Sequence, residues 1–169
     1  PARTTIAEIA RRAGVQRLTV YTHFPDDTQL ILACQAHTLA LLPPPDLSEA
    51  LALDQAAERL RAVLTLMYDW YRKTEEGIVR VLQDRGTVPA LDQVLTNAVD
   101  IPLAELAAGL AAGFGLDGRH EARPRAMTRL ALDFWTWRCL KEEGLDDTEI
   151  VEAMTETIVA LAARVSTQE

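Results

Sequence analysis

Apolar residues recur at helical spacing along nearly the whole chain, and no stretch alternates convincingly between apolar and polar at period two. Thr5 can cap a first helix over Ile6–Arg12, with Glu8 placed at its third position as in a capping box. Ala13-Gly14-Val15 reads as a turn, and a short helix follows from about Arg17 to His23. Pro25-Asp26-Asp27 ends it, and an aspartate can cap the next helix, about Thr28–Leu42. Pro43-Pro44-Pro45 stops that helix, because proline lacks the amide hydrogen and disfavours the α conformation before it. The domain boundary is therefore expected there, giving segments 1–42 and 43–169.

Beyond the prolines, the spacing predicts a helix from Asp54 to Glu75. Leu60, Val63, Leu64, Met67, Trp70 and Tyr71 share one of its faces. Further helices are expected over Ile78–Asp84, Pro89–Gly113 (kinked at Pro102) and, after a loop Gly113–Arg123, over Pro124–Glu143. The last of these carries Met127, Leu130, Ala131, Phe134, Trp135, Arg138 and Cys139. A final helix, capped by Asp146 or Asp147, carries Ile150, Val151, Met154, Ile158, Leu161 and Val165. The expectation is an all-α chain of about nine helices.

Charge changes this picture at one end. The net charge of −8 argues against nucleic acid, but residues 1–25 carry Arg3, Arg11, Arg12 and Arg17 against Glu8 alone. The remaining 144 residues hold 13 basic and 24 acidic side chains. DNA affinity follows the patch that faces the phosphates, so this asymmetry matters more than the total.

Within Thr5–Leu30, Ala10 and Gly14 are four apart, with Val15 next and Val20 five further on. A helix-turn-helix makes these demands. A small residue lets two helices cross closely, glycine permits a left-handed turn, and the aliphatic residues lock the second helix at a steep angle. Gln16, Arg17, Leu18, Thr22 and His23 are then free to enter a major groove.

Thr4, Thr5, Ile9, Ala10, Ala13, Gly14, Val15, Thr19, Val20, Tyr21, Phe24, Pro25 and Leu30 together resemble the DNA-binding domain of the TetR family of transcriptional regulators. The resemblance covers about 30 residues; beyond them it extends only to helix count and order. It implies an N-terminal helix-turn-helix domain and a C-terminal helical domain for ligand binding and dimerisation. It implies phosphate contacts from Thr5, Thr19 and Tyr21, which set register, and base or adjacent-backbone contacts from Arg17, Leu18, Thr22 and His23. Arginine can bind guanine with two hydrogen bonds, and leucine can pack on a thymine methyl. There are departures. The family's usual helix before Thr4 has no counterpart here, leucine stands at position 18 where glycine is frequent, and Gln16 replaces a better capping residue. Asp27 occupies a position where lysine is frequent and would repel phosphate.

The aromatic residues Tyr68, Trp70 and Tyr71 read first as core. The resemblance implies a ligand cavity among the equivalent helices, with Met67, Trp70, Tyr71, Gln83, Asn97 and Trp135 as candidate lining. Phe134, Trp135 and Trp137 cover too much of one helix for a small domain to bury, so Trp135 or Trp137 is expected against a partner. The family's dimer, built from the last two helices of each subunit, would supply it, with Ile158 at the contact.

Other function classes find little support. There is no phosphate-binding glycine loop or nucleophile elbow. Glu152 and Glu156 lack the histidine that a di-metal site needs, and His37 and His120 stand alone. Cys34 and Cys139 belong to no paired motif and are expected as buried free thiols in a reducing compartment. No unbroken apolar run reaches a membrane-spanning length; the longest is Leu106–Leu116. No signal peptide is visible. The combined expectation is a cytoplasmic, non-enzymatic regulator without metal or cofactor, probing a pseudo-palindromic operator in double-stranded DNA as a homodimer and answering to a small, mostly apolar effector. The alternative is a helical small-molecule-binding protein with weak or no DNA binding.

Overall fold

A computed structural model describes residues 4–116 and 118–166, with the backbone alone for Arg119, Val165 and Ser166. The described residues are all-α, without a β-strand. The helices are α1 Ile6–Ala13, α2 Arg17–His23, α3 Asp27–Leu41, α4 Ser48–Leu51, α5 Ala56–Asp84, α6 Pro89–Leu95, α7 Ile101–Ala112, α8 Gly118–Ala131, α9 Phe134–Glu142 and α10 Asp147–Ser166. A π-helical turn, Thr96–Asp100, joins α6 to α7 in one run, so the described chain holds nine continuous helices. They form two compact units, one from residues up to 43 and 74–100, the other from 44–73 and 101 onward.

In the first unit α1 packs on α2, and α3 packs on α6. Arg85 follows the last turn of α5 and fixes what comes next. Its guanidinium donates to Asp92 (Nε–Oδ1 2.6 Å), to the Thr96 hydroxyl (3.0 Å) and to both oxygens of Asp100. These bonds, Asp100 first, hold Arg85 firmly protonated. They clamp the π-turn two residues before Pro102. A proline has no amide hydrogen, so the backbone one turn upstream must rearrange, and a wide turn is one way to do so.

In the second unit α8 packs against α7 and α10. Its core includes Leu60, Val63, Leu64 and Tyr68 of α5, Leu110 of α7, Leu132, Trp137 of α9, and Ile150 and Ile158 of α10, all fully buried or nearly so. The Tyr68 hydroxyl donates to the Ala131 carbonyl (2.8 Å) and the Tyr71 hydroxyl to the Leu132 carbonyl (2.7 Å). Those carbonyls lie where α8 ends, a place with orphan acceptors in every helix. Burial raises the pKa of both phenols, so they stay protonated donors.

Several sequence expectations change. Pro124–Glu143 is two helices, because Asp133 caps α9 by accepting from the Thr136 amide (2.9 Å) and the tyrosines satisfy the broken end of α8. The segment expected as a loop up to Arg123 is helical from Gly118, and Pro124 lies buried inside α8. Tertiary packing there offsets the bond that proline removes. α5 runs unbroken through Gly77, since one glycine costs only about 1 kcal/mol relative to alanine in a helix. Pro89–Ala112 is long and apolar enough to cross a membrane by length and composition, although no single apolar run was. Two of its polar residues, Asp92 and Asp100, are engaged by Arg85.

The thiols are also exposed rather than buried. α3 buries no residue at all, and α9 turns Phe134 and Trp137 inward, leaving Cys139 outside. Trp137 is wholly buried within its own subunit, where its indole N–H donates to Asp147 (3.0 Å), and Ile158 is buried there too. Neither is therefore a partner-facing residue; Trp135, 42 % exposed, is the tryptophan of α9 left outside.

Candidate nucleic-acid interface

The chain enters α1 through Thr5, whose backbone is extended and whose hydroxyl accepts from the Glu8 amide (3.2 Å). Only this half of the expected capping box forms. The Glu8 carboxylate is taken by its own helix face, accepting from Arg11 (2.7 and 2.8 Å) and Arg12 (2.6 Å). The Arg11 contact, followed by Arg12, holds the Glu8 carboxyl down to about 2.

α1 ends in a paired backbone cap. The Val15 amide donates to the Ala10 carbonyl (3.0 Å) and the Gly14 amide to the Arg11 carbonyl (3.3 Å). Gly14 adopts φ +68°, which a side-chain-bearing residue reaches only with strain. This reversal sends the chain to Gln16, whose carbonyl starts α2 by accepting from the Thr19 and Val20 amides. Gln16 makes no side-chain cap, as its replacement of a better capping residue implies.

Ala10 and Val20 are the buried side chains of α1 and α2, and Val20 is the buried residue of α2. Arg17, Leu18, Thr19, Tyr21, Thr22 and His23 are all exposed, as are Thr5 and Gln16. Leu18 is 73 % and Tyr21 52 % exposed. The Thr22 hydroxyl donates back to the Leu18 carbonyl (2.9 Å). Asp26, not Asp27, caps α3, accepting the Gln29 amide (2.8 Å), and Asp27 stands exposed in the first turn. Arg3 lies outside the described residues. A helix anchored by one buried valine and bare elsewhere is suited to lie in a groove.

Residues 1–34 match the model of the family described as "Bacterial regulatory proteins, tetR family". Over this segment the chain is similar to the tetR family. The match spans α1, α2 and the first part of α3, which makes this segment the candidate DNA-binding element. Neither the curated proteins nor the solved structures contain a match to the chain.

The ligand candidates fall in both units. Met67 and Tyr71 are buried in the second unit, with Trp70 half-buried beside Tyr71 (ring centroids 5.7 Å apart) and Trp135 exposed. Tyr68, Tyr71, Phe134 and Trp137 pack ring on ring, at centroid distances of 5.5–6.4 Å. Gln83 and Asn97 belong to the first unit, both exposed. Asn97 lines an open groove of about 420 Å³ with Thr28 and Leu32 of α3 and Gln93, Val94 and Ala98. Sequence reasoning had no signal for this groove, which forms where α3 meets α6 from 60 residues further along the chain. Among the described residues no cluster of His, Cys, Asp or Glu could hold a metal ion.

Proposed function

We propose that the protein is a ligand-responsive repressor that binds a pseudo-palindromic operator as a homodimer in the cytoplasm. The observation that carries this reading is α2, bare except for Val20, in the segment that matches the tetR family. Leu130 and Trp135, 46 % and 42 % exposed on the helices preceding α10, support a partner contact through the last helices. Selection from a random duplex library tests the reading. The expected result is a palindrome whose half-sites are separated by roughly 34–36 Å, about one helical turn of DNA. A library with no enriched sequence at low salt overturns it and favours a helical small-molecule binder without operator specificity.

The effector is a small, mostly apolar molecule bound among the helices between Asp54 and Arg138. The groove carrying Asn97, within the first unit, supports this part of the reading. Ligand acts by binding the DNA-competent and DNA-incompetent states differently. A coupling of about 1–3 kcal/mol weakens operator binding roughly 5- to 150-fold, and linkage requires operator to weaken ligand binding by the same factor. Compounds found by quenching of tryptophan fluorescence are titrated with and without operator. Equal affinities in the two titrations overturn effector control.

A further inference from the structure

The arginines near the helix-turn-helix differ in what they can offer a base. Arg11 and Arg12 are committed to Glu8 on α1, and Arg3 lies outside the described residues. Arg17 is exposed at the first position of α2 and has no ion-pair partner among the described residues. Its guanidinium keeps all five donors in a fixed fork, the geometry that matches the O6 and N7 acceptors of guanine.

Leu18 follows it, 73 % exposed. One exposed leucine is ordinary on a protein surface. Here it stands on a seven-residue helix whose other exposed residues are all polar or amphipathic. Thr22, four residues on, shares its face. The Thr22 hydroxyl spends its proton on the Leu18 carbonyl, which leaves no donor for a base acceptor. Leu18 and the Thr22 methyl therefore form an apolar strip beside a free guanidinium. In the major groove the apolar feature of a base edge is the thymine 5-methyl.

We infer that α2 selects a guanine through Arg17 and, at a neighbouring base pair, a thymine through the 5-methyl that packs on Leu18 and Thr22. Consecutive helix residues point about 100° apart, so the two side chains address neighbouring base pairs and not one. The inference rests on the reading of the chain as an operator-binding regulator, and it specifies which bases that operator must contain.

The experiment uses the full chain and the duplex enriched by selection. Deoxyuridine replaces thymidine one position at a time, which removes only the methyl. Wild-type protein is expected to lose about fourfold in affinity at one thymine of each half-site, the worth of one buried methyl group. L18A is expected to bind the thymidine and deoxyuridine duplexes equally. R17K keeps the charge but not the fork. It is expected to lose preference for the guanine by roughly 5- to 150-fold while the salt dependence of binding stays as in wild type. An enriched operator in which every thymidine tolerates deoxyuridine, or in which L18A keeps the discrimination, overturns the inference and leaves the regulator reading intact. Absence of any enriched operator removes the regulator reading and this inference with it.

Discussion

Trp137→Ala is expected to lower the stability of the protein by about 3–5 kcal/mol, the usual cost of truncating a buried aromatic to alanine. Trp137 has no exposed surface, and its ring meets Tyr68, Tyr71 and Phe134 at centroid distances of 6.4, 5.8 and 5.6 Å. Those neighbours cannot collapse into the void, because the hydroxyls of Tyr68 and Tyr71 are tied to the end of α8. The indole N–H also ties α9 to Asp147 at the start of α10, where Arg72 (3.2 Å) and Lys141 (3.4 Å) add charge contacts. The loss is a large fraction of the roughly 5–15 kcal/mol that holds a typical domain together. Urea unfolding followed by far-UV circular dichroism measures it, and the midpoint should fall by roughly 1–5 M for a slope of about 1–3 kcal/mol/M. Trp137→Phe separates the two contributions, since it keeps much of the ring packing and loses the bond to Asp147. A midpoint shift in Trp137→Ala worth less than about 1 kcal/mol would show that the ring is not part of the core.

The position of Trp137 also shows what the sequence could and could not convey. Helix class and the helix-turn-helix were legible because their signals are local. Gly14 is required by a positive φ, Ala10 by a close crossing and Thr5 by an unpaired amide, and each requirement is met within a few residues. The role of Tyr68 and Tyr71 was not legible. Their spacing predicted a buried face, but the carbonyls they satisfy lie 61 and 63 residues away. Those carbonyls are free only because Asp133 stops α8 and restarts the chain as α9. Three adjacent aromatics on one helix likewise suggested a partner, since the pattern cannot say that α5 brings two tyrosines to cover Phe134 and Trp137. Glu8 held both meanings, capping residue and ion-pair partner. Two arginines at i+3 and i+4 outweigh one backbone amide for a carboxylate that can serve either.

The same local logic makes Val20 the most sensitive residue of the reading head. Val20→Asp is expected to abolish specific operator binding, by more than 100-fold, while the second unit keeps its fold. Val20 is 6 % exposed and, with Ala10 at 3 %, makes up the buried side-chain surface of α1 and α2. A carboxylate there would be buried against Ala10, and Arg11 and Arg12 are already paired with Glu8 on the exposed face of α1, so burying the charge is costly. The protein escapes that cost most cheaply by detaching α2 from α1. Detachment destroys the fixed angle that presents Arg17, Leu18 and Thr22, and a reading helix without a fixed angle has no register on the groove. Leu18, two residues earlier, supplies the contrast. Leu18→Asp puts the same charge on a fully hydrated position, so it leaves the fold intact and acts only where DNA would be met. Fluorescence anisotropy on the selected duplex, paired with thermal unfolding of both variants, separates the cases. The expected pattern is loss of binding in both, with a lowered first transition in Val20→Asp alone. Specific binding within threefold of wild type in Val20→Asp would mean that α2 does not need its anchor, and the helix-turn-helix could not then be the element that holds the operator.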